Sequence, residues 1–120
     1  MLPARHRLRA AGDFASAIRG PGGTRAGSQL LVVHAHRTDT RADLPPRVGF
    51  VVSKAVGGAV QRNLVKRRLR EIVRGEIAAT PAGVDLVVRA NPAAADATFA
   101  ELKSALVPLW HKAIRRTESA

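Results

Sequence analysis

The chain has 120 residues, 46% of them hydrophobic, and no cysteine. This size and composition predict a single globular domain over residues 1–120, and they exclude a disulfide scaffold, thiolate zinc sites and thiol catalysis. A net charge of +11, from 20 Lys and Arg against 9 Asp and Glu, is typical of proteins that bind nucleic acid or another polyanion. No apolar run is long enough to span a membrane and none resembles a signal peptide, so we expect a cytoplasmic protein with no membrane partner.

The hydrophobic pattern divides the chain into helices and strands. Helices are predicted where apolar residues recur every three or four positions, and strands where short apolar runs are rich in β-branched residues. In chain order these elements are a helix at 13–19, strands at 30–35 and 48–53, a helix at 61–77, a strand at 84–89 and a helix that begins near 98. The first two strands could pair as a hairpin, and one further short strand could lie elsewhere. The order α-β-β-(β)-α-β-α predicts a small α+β domain.

Glycine- and proline-rich segments separate these elements. The stretches 20–24 and 39–46 are interpreted as loops, and 90–97 as a linker. Thr98 and Glu101 have the spacing of a capping box, which predicts that the last helix begins there. The predicted buried stripe of this helix is Phe99, Leu102, Leu106, Leu109, Trp110 and Ala113.

The positive charge is concentrated in one segment. Between Lys54 and Arg74 there are seven cations and one acid. Helical spacing over 61–77 separates an apolar stripe from a polar, cationic face on the opposite side. The predicted stripe is Val65, Leu69, Ile72 and Val73, and the predicted outward face is Asn63, Arg67, Arg70 and Arg74, with Lys66 beside it.

The positive charges on such a helix face repel one another unless anions neutralise them. The pair Gly57-Gly58 would let a phosphate approach the backbone, and Arg62 lies near the start of the helix, where anions bind readily. Together these features predict contact with nucleic acid. A solvated helix face is the simpler alternative, and a GC-rich genome would also raise the arginine content.

Residues 53–71 resemble the arginine-rich signature of the protein subunit of bacterial ribonuclease P. The residues that carry the resemblance are Lys54, Gly57, Ala59, Arg62, Asn63, Lys66, Arg67 and Arg70. The similarity extends over almost the whole chain, from the first predicted helix to the last.

The resemblance implies a fold and a function. The fold would be a small α-β sandwich with a left-handed βαβ crossover through the basic helix, similar to a domain of certain ribosomal proteins. The protein would join a large catalytic RNA that removes the 5′ leader from precursor tRNA. Its partners would be ribonuclease P RNA and precursor tRNA, with no protein partner required. The Mg²⁺ ions would be bound mainly by the RNA, and the protein would lower the Mg²⁺ requirement.

The resemblance also implies two sets of contact residues. The catalytic RNA would be bound by Lys54, Arg62, Asn63, Lys66, Arg67 and Arg70. The leader would be bound in a cleft between the first helix and the sheet by Phe14, Ile18 and His34. Members of the family often have aromatic residues at the last two of these positions. The alternatives are that Phe14 is a core residue and that His34 is an ordinary strand residue.

Catalysis by the protein alone would need clustered carboxylates or a pair of histidines. His34 and His36 share a strand face, and Asp39 and Asp43 follow in a loop, but no metal-ligand spacing connects them. We therefore expect no catalytic and no metal-binding residue. The rival interpretations are a ribosomal protein or rRNA chaperone without a nuclease role, a nuclease acting alone, and a DNA-binding protein, although no helix-turn-helix pattern flanks the basic helix.

Overall fold

A mixed four-stranded sheet forms the centre of the computed structural model, which describes residues 2–8, 14, 17–18, 23–37 and 41–119, the side chain of Ser119 excepted. Its strands are β1 (Gly23–Gly27), β2 (Leu31–Arg37), β3 (Arg47–Val51) and β4 (Val84–Ala90). Their order across the sheet is β1-β2-β4-β3. The pairs β1/β2 and β2/β4 are antiparallel, and the pair β3/β4 is parallel.

Two long helices connect or follow these strands. Helix α1 (Ala59–Arg74) makes the crossover from β3 to its parallel neighbour β4, and helix α2 (Phe99–Ser119) follows β4. Shorter 3₁₀ turns lie at 4–6, 54–56, 77–79 and 92–96. In the described part of the chain, no helix has the length and apolar character that a membrane span requires.

Both helices contribute to one apolar core on one face of the sheet. Alternate residues of each strand point into this core, as Leu31 and Val33 do in β2 and Leu86 and Val88 do in β4. The stripe predicted for α1 is confirmed: the buried residues of this helix are Val65, Leu69, Ile72 and Val73. The capping box is also confirmed, because the Thr98 backbone N–H donates to Oε1 of Glu101 at 2.9 Å and the Glu101 N–H donates to the Thr98 hydroxyl at 3.1 Å.

The opposite face of the sheet, called here the open face, is covered in part by the N-terminal region. A second apolar cluster joins Leu8 and Ala17 to Val87 of β4, with Phe14, Ile18 and Val51 packed against it. By strand alternation and register, the residues of the open face are Arg25, Val32, His34, His36, Arg47, Gly49, Val51, Asp85, Val87 and Arg89.

The N-terminal residues are fixed along the outer edge of β3. Leu2 is buried in the main core. Arg7 bridges to Val48 in parallel, and the Leu8 N–H donates to the Val48 carbonyl at 3.0 Å. This contact satisfies part of the sheet edge that β3 would otherwise present to solvent.

The α+β class and the sandwich-like arrangement are confirmed, and so is a helical crossover between parallel strands; the handedness of that crossover stays a prediction. The predicted hairpin between the strands at 30–35 and 48–53, which correspond to β2 and β3, is wrong, since β4 lies between them and pairs with both. The interpretation of 20–24 as a loop is wrong at its end, because residues 23–24 begin β1. Helix α1 ends at Arg74, and residues 77–79 form a separate 3₁₀ turn.

Two smaller expectations also need correction. Phe99 is 40% exposed and lies outside the buried stripe of α2, whereas Ile114 belongs to it. The predicted linker at 90–97 is ordered, with a 3₁₀ turn at 92–96 and with Ala94 and Ala97 in the core. Both ends of the predicted first helix lie outside the described residues, which do not include 13, 15–16 and 19–22. Asp39 also lies outside them. Phe14, Ala17 and Ile18 are described and are helical.

Candidate nucleic-acid interface

One side of α1 is a polar, cationic surface that takes no part in the core. Its members, called here the outer face of α1, are Asn63, Arg67, Arg70 and Arg74. All four are exposed, and they recur at intervals of three and four residues on the side opposite the buried stripe. Arg74 makes an ion pair with Glu71 at 3.1 Å, in which both side chains are about half exposed. The charge of the outer face is therefore presented to solvent.

Apolar side chains adjoin this surface near the start of α1. Val60 is 86% exposed, and Leu64 is half-buried one turn later. With Asn63, Arg67 and Arg70 they line a shallow pocket. An apolar patch among cations offers contact to the flat face of a base while the arginines meet phosphates. Nothing in the charge pattern alone indicated Val60.

Three further cations predicted to bind RNA flank the outer face. Lys54 is exposed in the 3₁₀ turn before α1. Arg62 and Lys66 are half-buried on one side of the helix. Nε of Arg62 is buried and has no hydrogen-bond partner among the described residues. The structure thus brings all six predicted RNA-contact residues to one helix and the turn that precedes it.

The remaining cation of the basic run has a structural role. Arg68 donates from Nη1 to the carbonyl of Ala97 at 3.0 Å, and Gln61 donates to the carbonyl of Ala95. These two bonds fix α1 against the ordered connector between β4 and α2. Because they lie on the other side of the helix, they hold the outer face at a fixed angle to the sheet.

The turn into α1 depends on glycine. Gly57 has φ of +152°, in the region that favours glycine, and an added Cβ would lie 3.1 Å from the Gln61 side chain. Gly58 caps the helix, and its carbonyl accepts the first helical bond, from Arg62 N–H at 2.9 Å. Since Gly58 has no side chain to cap the first-turn N–H groups, they remain directed at the N-terminal end of the helix, where an anion is favoured.

The second predicted site lies on the open face. The ring of Phe14 covers Gly49 of β3 so closely that a Cβ at this glycine would lie 2.2 Å from Cζ of the ring. Phe14 and Ile18 are both half-buried. A glycine is therefore required at position 49, because the Phe14 ring approaches the backbone there too closely for any side chain. The ring lies on the sheet beside Val87, which is paired in register with Gly49.

His34 occupies the same face, in the neighbouring strand. It is paired in register with Val87 of β4 and with Arg25 of β1. The side chain is 4% exposed, and its Nε2 is buried without a hydrogen-bond partner in the described part of the chain. Burial lowers the pKa of His34 below its ordinary value, and the positive charges of Arg89 and Arg25 lower it further. The imidazole is accordingly neutral at pH 7, with one nitrogen able to donate and the other able to accept.

The two arginines beside His34 were not among the predicted site residues. Arg25 and Arg89 are both exposed on the open face. Because side chains alternate between the two faces of a strand, the sequence could have placed Arg89 on the same face as Asp85 and Val87. Its position near His34, however, depends on the pairing register of β2 and β4, which the sequence does not give. Arg25 was missed because it lies in β1, a further strand that the sequence allowed but did not locate.

The other end of the open face is occupied by a buried ion pair. Arg47 donates from Nε and Nη2 to the two carboxylate oxygens of Asp85, at 2.9 and 2.7 Å. Arg41 approaches the same carboxylate at 3.9 Å. Asp85 thereby holds β3, β4 and the loop before β3 together, which is a structural role.

His34 and His36 do share a strand face, as expected. Within residues 2–8, 14, 17–18, 23–37 and 41–119, however, no three histidine, aspartate or glutamate residues come together as a metal site would require.

Comparison with known proteins identifies the family. The sequence profile of ribonuclease P matches residues 2–114 of the chain. The chain belongs to the ribonuclease P protein family. Members of this family are the protein component of the endoribonuclease that processes the 5′ ends of tRNA, and their partner is the ribonuclease P RNA.

Individual members of the family are similar in sequence and in structure. The ribonuclease P protein component of Streptomyces griseus is 55% identical over 108 residues, covering 85% of this chain and 86% of the relative. That of Nocardioides sp. is 55% identical over 102 residues, with the same coverage.

The solved ribonuclease P protein of Staphylococcus aureus superposes with a TM-score of 0.78 at 26% identity, over 90% of this chain and 94% of that one. The Thermotoga maritima protein gives 0.75 at 28%, over 90% and 97%. The family predicted from residues 53–71 is thus confirmed, and the α+β fold is that of solved ribonuclease P proteins.

Proposed function

We propose that this protein binds the catalytic RNA of ribonuclease P through α1 and the 5′ leader of precursor tRNA through the open face of the sheet. The observation that carries the proposal is the separation of these two surfaces. One is an exposed cationic helix face, and the other is a half-covered sheet face with an aromatic ring, a neutral imidazole and two arginines. The site of action would be the cytoplasm.

The helix suits a folded RNA. Arg67 and Arg70 present planar guanidinium groups that bind phosphate oxygens in pairs, and Asn63 can hydrogen-bond to a base edge or a sugar. Lys54, Arg62 and Lys66 would extend the contact around the flank of the helix. Because all of these are side-chain contacts from one rigid element, the RNA would be held in a single orientation.

The open face suits a single strand. Exposed parts of the Phe14 ring and Ile18 would meet unstacked bases, as aromatic and apolar platforms do in single-strand binders. Because His34 is 4% exposed, its contact with a base would be limited to the small accessible part of the ring. The exposed Arg25 and Arg89 on either side would bind the neighbouring phosphates. A leader reaches such a cleft only when it is unpaired, which would favour precursor over mature tRNA.

The protein would assist cleavage without performing it. The Mg²⁺ ions that activate the attacking water and stabilise the leaving group would be held mainly by the RNA. The protein's cations would neutralise phosphates that otherwise repel one another as RNA and precursor approach, which lowers the concentration of Mg²⁺ needed for assembly. Each phosphate contact should add about 0.7–0.9 to the slope of log affinity against log salt.

Reconstitution tests the proposal. The protein, a bacterial ribonuclease P RNA and a precursor tRNA are mixed at low Mg²⁺, and each component is omitted in turn. We expect correct 5′ processing only when both protein and catalytic RNA are present. Cleavage by the protein alone would instead place the chemistry on the protein. RNA binding with no stimulation of cleavage would favour a ribosomal or rRNA-chaperone role.

The leader site is tested by substrate comparison. Phe14→Ala should weaken binding of precursor tRNA by the holoenzyme while leaving mature tRNA nearly unaffected. Lys112→Ala, an exposed cation on α2, serves as the control. Equal losses for precursor and mature tRNA would indicate that Phe14 acts only in packing.

A further inference from the structure

A pocket lies where the N-terminal residues, the loop before β3 and the end of α1 meet. Its walls are apolar and conformationally stiff, because prolines contribute from both the N-terminal residues and the loop. Two arginines and a histidine complete its lining. Among its lining residues are Pro3, Arg5, His6, Pro45, Pro46 and Arg74.

The N-terminal wall of this pocket is held in place by several contacts. Leu2 is buried in the main core, and Nε of Arg7 donates to the Leu2 carbonyl at 2.8 Å. Nδ1 of His6 donates to the carbonyl of Pro46 at 2.8 Å, joining the two walls directly. Arg5 lies between these anchors, so its backbone is fixed at the rim while its side chain extends into solvent.

The pocket carries positive charge that the protein does not neutralise. Arg5 is exposed and makes no hydrogen bond or ion pair to any described residue. Among the described residues Arg74 pairs with the exposed Glu71, an ion pair that water screens and an incoming phosphate can replace. The Thr80 hydroxyl is already engaged, donating to the Glu76 carbonyl and accepting from the Trp110 indole. No carboxylate lines the pocket in the part of the chain that the structure describes, so the pocket fits a ligand that combines an anionic group with a flat apolar part.

The pocket continues the outer face of α1. Arg74 is the last residue of that face and also lines the pocket. A chain of phosphates that follows Arg67 and Arg70 toward the end of the helix therefore arrives at Arg74 with Arg5 beyond it. We propose that the pocket binds a nucleotide of the catalytic RNA, with its phosphate on Arg5 and Arg74 and its sugar or base against Pro3, Pro45 and Pro46. The inference rests on the proposed RNA contact of α1 and assigns it a second, separate point of attachment.

Site-directed crosslinking tests the location directly. The natural chain has no cysteine, so Ala78→Cys provides a single attachment point for a benzophenone at the exposed rim of the pocket. Ala100→Cys, exposed at the start of α2 in a different groove, is the matched control. Thermal unfolding confirms that each labelled protein is folded. In the complex with ribonuclease P RNA and precursor tRNA, we expect crosslinks from position 78 to the catalytic RNA, at least fivefold above those from position 100.

Affinity supplies the second readout. Arg5→Ala should weaken binding of ribonuclease P RNA by about four- to fivefold near physiological salt and lower the salt slope by about 0.7–0.9, the contribution of one phosphate. Arg5→Lys should recover part of the loss, and Lys112→Ala should have the affinity of the wild type. Arg5 has no partner to lose among the described residues, so the unfolding temperature should not change.

The results separate the two proposals. Wild-type affinity of Arg5→Ala, together with no crosslink from position 78, would overturn the pocket assignment even if Arg67→Ala still weakens RNA binding. Crosslinks from position 78 to precursor tRNA alone would overturn the assignment to the catalytic RNA. Failure of the wild-type protein to bind ribonuclease P RNA at all would overturn the proposed function of α1 and this inference with it.

Discussion

The outer face of α1 and the open face of the sheet both carry residues proposed to bind RNA, but they are built differently. On α1, the residues for RNA and the residues for the core occupy opposite sides of one helix, and none of Arg67, Arg70 or Asn63 is buried. On the open face, His34 is buried and Phe14 is packed onto the sheet. Function can therefore be removed from α1 without loss of stability, whereas on the open face the two properties are coupled.

The largest effect is expected from the ion pair of the open face. Arg47→Ala leaves the buried Asp85 carboxylate with Arg41, at 3.9 Å, as its remaining cation among the described residues. Removal of one partner of a buried pair costs about 3–5 kcal/mol. We expect the free energy of unfolding, measured in urea, to fall by this amount. Arg74→Ala removes an exposed pair and is the control, with a loss of about 0–1 kcal/mol. Equal small losses would show that the open face contributes no more to stability than the helix surface.

Gly49→Ala should disturb the open face more locally. The new Cβ would occupy the position of the Phe14 ring, and overpacking of this kind costs about 1–3 kcal/mol. Displacement of the ring should also reduce the preference for precursor over mature tRNA. Gly75→Ala, where a Cβ would make only an ordinary contact, 3.5 Å from the Ile72 carbonyl, is the control for an added methyl group. Unchanged substrate preference in Gly49→Ala would separate Phe14 from the leader site.

The double variant Arg67→Ala, Arg70→Ala should show the opposite behaviour. Two phosphate contacts are lost, so affinity for the catalytic RNA should fall by about 20-fold and the salt slope by about 1.4–1.8. The unfolding temperature should stay at the wild-type value, because both side chains are exposed. Filter binding over a salt series and a thermal melt measure the two quantities. A marked loss of stability would mean that these arginines support the fold.

The smallest effect concerns pH. The pKa of His34 is lowered in the folded protein by burial and by Arg89 and Arg25. Below about pH 6.5, His34 is protonated in the unfolded chain but remains neutral in the folded protein. The free energy of unfolding therefore falls as the pH decreases, by less than about 1.4 kcal/mol per pH unit. The loss levels off below the folded-state pKa. His34→Gln should have a smaller difference between urea midpoints at about pH 7.5 and about pH 5.5; an unchanged difference would assign the pH dependence to other groups.

Local sequence was sufficient to predict α1. Its stripe and its charged face depend only on helical periodicity within 16 residues, and the residues of the RNA signature lie in the same segment. The capping box at Thr98 is equally local. Such features require no knowledge of the rest of the chain.

Features that depend on distant pairing were mispredicted. Nothing in the runs at 30–35 and 48–53 shows that β4 inserts between them, so neighbours in sequence were assumed to be neighbours in the sheet. Strand β1 reads Gly-Thr-Arg-Ala-Gly and has little β propensity. It is held by Ala26 in the core and by the Thr24 hydroxyl, which donates to the Ala113 carbonyl of α2 at 2.8 Å. Those contacts span most of the chain, and they decide where Arg25 meets His34.

The central position of β4 determines when the chain can fold during its synthesis. Until residue 90 has left the ribosome, β2 can pair only with β1, and β3 can pair only with the N-terminal residues 7–8. A two-stranded hairpin is marginal in water, and a parallel pair needs its crossover helix in place. The complete sheet can therefore form only late in translation, when β4 arrives between β2 and β3.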